Sequence, residues 1–206
     1  MIQAHLPVLQ VVMALVAAPL CVLLHQGRLA GLLSVAVSWA SLAVAVTLLQ
    51  QVLGGGVVTY ELGGWVAPIG IEYRVDILNG FVLLIVAAIG AVVVPYSLRS
   101  AAGAVPRERL WLFYALLNLL LAGLFGIAIT GDLFNVFVFL EISSLASYAL
   151  VSLGRSPRAL TSAFRYLVLG TLGATFILIG IGLLYAATGT LNMADLAERV
   201  HGQLGN

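Results

Sequence analysis

Six long apolar runs dominate this sequence and leave nearly all of its charge to the connections between them. The runs cover residues 6–24, 30–53, 77–97, 110–130, 133–154 and 160–187. Each is close to the roughly 20 apolar residues that an α-helix needs to cross the hydrocarbon layer of a bilayer. Because lipid offers the backbone no hydrogen-bond partners, such runs predict helices. We therefore expect an all-α integral membrane protein, a single membrane domain over residues 1–206 with about six transmembrane helices.

The composition excludes most other classes of protein. Hydrophobic residues make up 62% of the chain and charged residues only 8%, whereas soluble domains average about 25% charged residues. No cluster of basic residues offers a surface to nucleic acid. The single Cys21 cannot form a disulfide framework or ligate an iron–sulfur cluster, and no glycine-rich strand–turn–helix pattern indicates a nucleotide site. The sequence thus predicts no cofactor, no metal and no nucleic-acid partner.

The arginines give the expected orientation in the membrane. All nine basic residues are arginines, and seven lie in or beside alternate connections: Arg28, Arg99, Arg107, Arg109, Arg155, Arg158 and Arg165. The intervening connections and the C-terminal segment contain most of the acidic residues. Because basic residues are enriched on the cytoplasmic side, both termini are expected to face outward.

The longest connection, residues 54–76, is expected to form a β-hairpin-like loop at the outer surface between the second and third helices. Short alternating segments around glycines and Pro68 favour this structure. Its aromatic residues Tyr60, Trp65 and Tyr73 are of the kind enriched at membrane interfaces, so we expect them to act as anchors.

Glu141 is the one acidic residue deep inside an apolar run. If the fifth helix begins after Asp132, Glu141 lies nine residues further in, about 13 Å along the helix axis and near the midplane of a hydrocarbon layer about 30 Å thick. A carboxylate there costs at least about 2.5 kcal/mol, so such residues usually mark ion or proton paths. The sequence therefore predicts Glu141 as a proton-relay carboxylate. The competing interpretation is a permanently protonated acid that hydrogen-bonds a neighbouring helix.

Four other polar residues are candidates for supporting Glu141. Ser144 and Tyr148 follow it at helical spacing on one face. Asn118 lies at a similar depth in the fourth helix, where its amide could hydrogen-bond the acid or a water molecule. Each of these three could instead join helices to one another. Arg165 opens the sixth helix, where its side chain can reach the inner interface and simply help to set the topology.

Several segments resemble a known family. They are TGDLFNVFVFLEI at residues 130–142, YLVLG at 166–170, LYAATGTLNMADL at 184–196 and LGGWVAPIGI at 62–71. Together they resemble the D subunit of the multisubunit Mrp-type cation/proton antiporters. The wider relatives of this antiporter component are the antiporter-like membrane subunits of respiratory complex I, and the likeness covers nearly the whole chain.

The resemblance implies roles for single residues and a partial antiporter-like fold. The fifth-helix glutamate of the family handles protons, and the matching residue is Glu141. Where some complex I relatives carry a lysine, this chain has Arg165, which keeps the charge but does not readily release a proton. Family members have about fourteen helices with two inverted repeats, so this chain corresponds to their N-terminal part. The implied partner of the glutamate is a lysine on the seventh helix, but the sequence contains no lysine, so another stretch of polypeptide would supply it.

Three functions are consistent with these features. The leading hypothesis is a proton-conducting subunit of a multisubunit antiporter that exchanges Na⁺ or another monovalent cation for protons across a prokaryotic plasma membrane. The alternative is a proton-pumping membrane-arm subunit of a complex I-like oxidoreductase that acts on NADH and quinone or on ferredoxin, with the redox site in other subunits. The third is a scaffold that does not transport. Each predicts other membrane subunits and lipid as partners.

Overall fold

The computed structural model describes residues 5–204, in which six long α-helices confirm the all-α prediction. These helices are α1 (Leu6–Leu24), α2 (Gly27–Leu53), α3 (Ile77–Ala104), α4 (Leu110–Ile129), α5 (Leu133–Ser152) and α6 (Ala159–Thr188). All six are long and apolar enough to cross a membrane. Their bounds lie within three residues of the apolar runs, except at the end of α3.

α3 continues seven residues past the end predicted from its apolar run. The residues that follow position 97 are mostly polar or small, and helix formation in water does not require apolar side chains. The helix ends at Ala104 because Val105 precedes Pro106, and a residue before proline avoids the helical region. Val105 accordingly has extended backbone angles, with φ −117° and ψ 143°.

A shorter helix, α7 (Met193–Leu204), was not indicated by the apolar runs. Asn192 caps its first turn, since the Oδ1 atom accepts hydrogen bonds from the backbone N–H groups of Ala194 and Asp195 at 3.0 and 3.1 Å. Arg199 pairs with Asp195 across one turn, with Nη2 and Oδ2 2.9 Å apart. The hydrogen bond from Arg199 lowers the pKa of the Asp195 carboxyl.

α4 lies at the centre of the bundle and contacts α1, α2, α3 and α5. Its glycines allow α5 to approach closely: a Cβ atom at Gly123 would lie 2.8 Å from Cβ of Ser143, and one at Gly126 would overlap the ring of Phe139. α6 packs chiefly against α5 at the edge of the bundle. One face of α5 is therefore sealed against the core.

The connections collect at two opposite ends of the bundle. At the first, which we call the arginine end, the backbone N–H of Arg155 donates to the carbonyl oxygen of Ala104 at 3.0 Å. Its Nη2 donates to the carbonyl oxygen of Val105 at 3.2 Å. The α3–α4 and α5–α6 connections, which carry four arginines, Arg107, Arg109, Arg155 and Arg158, thus meet. That this end faces the cytoplasm stays a prediction.

The opposite end, which we call the hairpin end, contains two antiparallel strands in the long connection between α2 and α3. The strands are β1 (Val58–Glu61) and β2 (Glu72–Val75), paired with Val58 opposite Val75. The interface role predicted for Tyr73 is wrong. Its side chain is only 5% exposed, its ring centroid lies 6.3 Å from that of Phe139, and burial raises the pKa of its hydroxyl to about 12.

Backbone hydrogen bonds join the start of α5 to two other segments at the hairpin end. The N–H of Gly131 donates to the carbonyl oxygen of Glu72 in β2 at 2.9 Å. On the other side, the N–H of Leu133 donates to Leu191, and the N–H of Met193 donates to Gly131, each at 2.9 Å. We call this arrangement the hairpin-end junction. It places the beginning of α5 between β2 and the α6–α7 connection.

Candidate functional site

α5 begins at a well-formed cap that sets the depth of every residue after it. The Asp132 side chain accepts a hydrogen bond from the backbone N–H of Asn135 at 2.8 Å, and Asn135 Nδ2 donates to Thr130 Oγ1 at 3.0 Å. Burial raises the pKa of the Asp132 carboxyl, an effect that the backbone hydrogen bonds from Asn135 and Phe134 partly oppose. A polar cap holds the helix start at the hairpin end.

Glu141 lies nine residues along α5, about 13 Å from this cap. The residues two before and two after it, Phe139 and Ser143, face α4. Because successive helical residues turn by about 100°, Glu141 points to the opposite side of α5. Its side chain is partly buried, and among residues 5–204 no hydrogen bond or ion pair to its carboxylate is present. The carboxylate thus lies near the middle of α5 without a protein partner in this part of the chain.

The two residues predicted to extend the Glu141 face have different surroundings. Ser144 is partly buried. Tyr148 is buried, its ring centroid lies 4.6 Å from that of Tyr166 in an edge-to-face arrangement, and its hydroxyl lies directly against Gly170 of α6. Tyr148 therefore joins α5 to α6, about two helical turns from Glu141 toward the arginine end.

A cavity of about 490 Å³ lies at the hairpin end of α5, and Glu141 is not among the residues that line it. Phe134 lines it, and Phe134 precedes Glu141 by seven residues, two helical turns on the same face, or about 10 Å. The polar lining of the cavity comes from Asp132, Thr190 and Arg199. Composition and residue spacing do not indicate this cavity, because it is formed by the α2–α3 connection, α5 and the α6–α7 connection together.

Arg165 lies in the second turn of α6, and its side chain is exposed. The only ion pair within residues 5–204 joins Asp195 and Arg199, so Arg165 is not paired with Glu141 there. Arg165 lies near the arginine end, which agrees with the interpretation that its charge helps to set the topology.

Asn118 is not next to Glu141. It is fully buried and faces α1 and α2, where its Nδ2 donates to Ser34 Oγ at 2.7 Å and to the carbonyl oxygen of Tyr114 at 2.9 Å. Cys21 Sγ lies 3.6 Å from the same nitrogen. The prediction that Asn118 lies at a depth similar to Glu141 is also wrong, because Gly123 of α4 is level with Phe139 and Ser143 of α5 and Asn118 lies five residues, about 7.5 Å, further toward the arginine end. Of the two interpretations, the contacts favour a bond between helices.

Replacing Asn118 by leucine is expected to lower the free energy of unfolding by about 1 kcal/mol, the usual scale for a polar contact between membrane helices. The reason is the loss of the bond to Ser34. Reversible unfolding in mixed micelles measures the change. In a double-mutant cycle with Ser34→Ala, the two effects should be less than additive, and additive effects would show that the bond contributes nothing.

Comparison with known proteins identifies the class. Residues 130–206, which include Glu141, match the family described as NADH:quinone oxidoreductase/Mrp antiporter, TM. In fold and sequence the chain is therefore related to antiporter-like membrane subunits. It is related over nearly its whole length to the D subunit of Mrp antiporters and to the N subunit of complex I, as the resemblance implied.

Two curated relatives illustrate the similarity to complex I subunits and to Mrp antiporter subunits. The N subunit of the NADH-quinone oxidoreductase of Desulforudis audaxviator is 45% identical over 197 residues, 94% of this chain and 39% of the relative. The D subunit of the Na(+)/H(+) antiporter of Bacillus subtilis is 38% identical over 201 residues, 96% of this chain and 40% of the relative. The chain thus spans about two fifths of the length of these relatives. Its six apolar helices and these bacterial relatives make it a multi-pass protein of the plasma membrane.

Solved structures contain the same arrangement of helices. A chain of the membrane-bound sulfane sulfur reductase, an archaeal respiratory membrane complex, matches with a TM-score of 0.85 and 31% identity over 94% of this chain and 40% of that one. A chain of the Mrp complex from Dietzia sp. DQ12-45-1b matches with a TM-score of 0.81 and 29% identity over 93% of this chain and 36% of that one.

Proposed function

We propose that this chain is a proton-conducting subunit of a multisubunit antiporter that exchanges Na⁺ or another monovalent cation for protons. The observation that carries the proposal is Glu141, a carboxylate near the middle of α5 that faces away from the packed core and has no partner within residues 5–204. An acid in a membrane helix that is not committed to a structural contact is available to take and release a proton.

The surroundings of Glu141 support a proton route with one open side and one closed side. Toward the hairpin end, the cavity beside Phe134 lies two turns away and includes the buried Asp132. Toward the arginine end, Tyr148 fills the space against α6. A proton would reach Glu141 from the hairpin end by way of water in this cavity. The inner half of the route, and a basic partner for Glu141, would come from further polypeptide.

A redox-driven pump is the second candidate. Two matches favour it: the oxidoreductase N subunit and the archaeal respiratory complex. In such an assembly Glu141 would have the same relay role, while redox energy would be delivered by hydrophilic subunits. Other membrane subunits and lipid surround the chain in both cases.

The test uses the complete assembly that contains this chain, in everted membrane vesicles. After a pH gradient is established, added Na⁺, K⁺ or Li⁺ should dissipate it if the assembly is an antiporter, as followed with a pH-sensitive dye. Dissipation should disappear in vesicles that lack this chain. Two observations would reject the antiporter in favour of the redox pump. One is copurification of hydrophilic redox subunits, and the other is a pH gradient that electron donors form and added cations do not change.

A further inference from the structure

The core between α1, α2 and α4 contains buried polar atoms without hydrogen-bond partners, on the side of α4 remote from Glu141. Gln10 and Asn118 are fully buried, as is Ser41. Within residues 5–204, neither Nε2 nor Oε1 of Gln10 has a partner, nor has Ser41 Oγ or Asn118 Oδ1. Buried polar groups in native proteins are almost always satisfied, by protein or by bound water. Four unsatisfied atoms in one core therefore call for a ligand.

The helix register places Gln10 and Ser41 at the same level. α1 and α2 are antiparallel neighbours, and Cys21 Sγ lies 3.7 Å from the carbonyl oxygen of Ala30. Gln10 precedes Cys21 by eleven residues, and Ser41 follows Ala30 by eleven. Eleven residues are close to three full helical turns, so both side chains return to the face of the Cys21 contact. A groove on the outer surface of the same helix pair, in which Val12 of α1 and Ala40 of α2 both take part, supports this register.

Ser41 differs from the other buried serines of α2. Ser34 and Ser38 donate to carbonyl oxygens of their own helix, those of Ala30 and Val35, each at 2.9 Å. The hydroxyl of Ser41 has no such bond. It is free to bond a molecule that lies between α1 and α2.

The unsatisfied atoms determine the chemistry of the ligand. Gln10 presents an unpaired donor and an unpaired acceptor on one amide, and only a molecule that both accepts and donates can satisfy the two together. Water does so, and buried water usually makes about three hydrogen bonds. A cation would be repelled by the Gln10 NH₂ group and would find no carboxylate, since the buried polar side chains of this core are serines and amides.

We propose that the α1–α2–α4 core binds ordered water at two levels, one between Gln10 and Ser41 and one at Asn118 Oδ1. The second level is separate because Asn118 bonds Ser34, which lies seven residues from Ser41, or about 10 Å along α2. Asn118 Nδ2 is already satisfied there, so the water donates to Oδ1. This hydrated core goes beyond the proposed proton route and is independent of it, because Glu141 points away from α4.

A high-resolution cryo-EM map of the complete assembly in lipid nanodiscs tests the proposal. The expected result is ordered density within hydrogen-bonding distance of the Gln10 amide and Ser41 Oγ, and a second density at Asn118 Oδ1. The Gln10→Leu variant should lose the first density and keep the second, and Asn118→Leu should do the reverse, so each variant is the control for the other.

The unmodified assembly decides the question even if a variant fails to assemble. A Gln10 amide bonded directly to protein atoms, with no density beside it, overturns the proposal. So does a density with the short contacts to many oxygens that mark a cation. Loss of cation-driven proton flux in a correctly assembled Gln10→Leu complex would overturn the independence of this core from the proton route.

Discussion

The Glu141→Gln complex is expected to transport protons at least about 100-fold more slowly than the unmodified complex, which is the lower range for loss of a positioned acid–base group. Glutamine keeps the size and hydrogen-bonding ability of the side chain but cannot release a proton. Because the carboxylate has no structural partner in residues 5–204, the substitution should leave the bundle intact. The measurement is cation-driven dissipation of a pH gradient in vesicles, normalised to the amount of assembled complex.

Two further variants show whether titration at position 141 is the cause. Glu141→Asp retains a carboxyl group on a side chain that is one methylene group shorter, so this variant should keep part of the proton flux. Glu198→Gln removes an exposed acid of α7, outside the membrane-spanning helices, and should leave the flux unchanged. A Glu141→Gln complex with full flux would leave the chain with only a scaffold role, the third hypothesis.

The second large effect is expected at the contact between α4 and α5. Leucine at Gly126 cannot fit, since even a Cβ atom there would overlap the ring of Phe139. We expect the free energy of unfolding to fall by at least about 3 kcal/mol, the upper part of the usual range for overpacking. Thermal unfolding of the purified assembly, followed by loss of the monodisperse peak on size exclusion, measures the effect.

Alanine at Gly182 is a control for substitution of a glycine inside a membrane helix. Gly182 is also a glycine inside a membrane helix, but nothing lies within 4 Å of a Cβ atom placed there. No atom of residues 5–204 opposes the added methyl group, and alanine favours the helix, so Gly182→Ala should be tolerated. A Gly126→Leu protein as stable as Gly182→Ala would show that α5 does not pack on α4 in this way.

The helices could be predicted from the sequence because hydropathy over 20 residues reports the solvent around a helix. It does not report helix ends in water, so the extension of α3 to Ala104 was missed. The polar α7 is too short for such a search, although Asn192 followed by Asp195 is a typical start of a helix. Local capping chemistry would have revealed it.

Contacts between helices were harder to predict than their positions. Counting residues predicted a similar depth for Glu141 and Asn118, but the two residues differ in depth and face opposite sides of α4 and α5. Both differences depend on how the helices shift and rotate against each other. Tyr73 illustrates the same limit, because its burial results from packing on Phe139. The unsatisfied Gln10 amide likewise becomes visible only when the surrounding atoms are placed.

The hairpin-end junction has a mechanical consequence for the proposed transport. Main-chain hydrogen bonds hold the start of α5 from both sides, through Glu72 on one and Leu191 on the other. A piston-like shift of α5 along its axis would have to break them together. We therefore expect α5 to act as a stator during the transport cycle, with Glu141 at a fixed height. Alternating access to its carboxylate would then arise from rearranged side chains and water rather than from sliding of the helix.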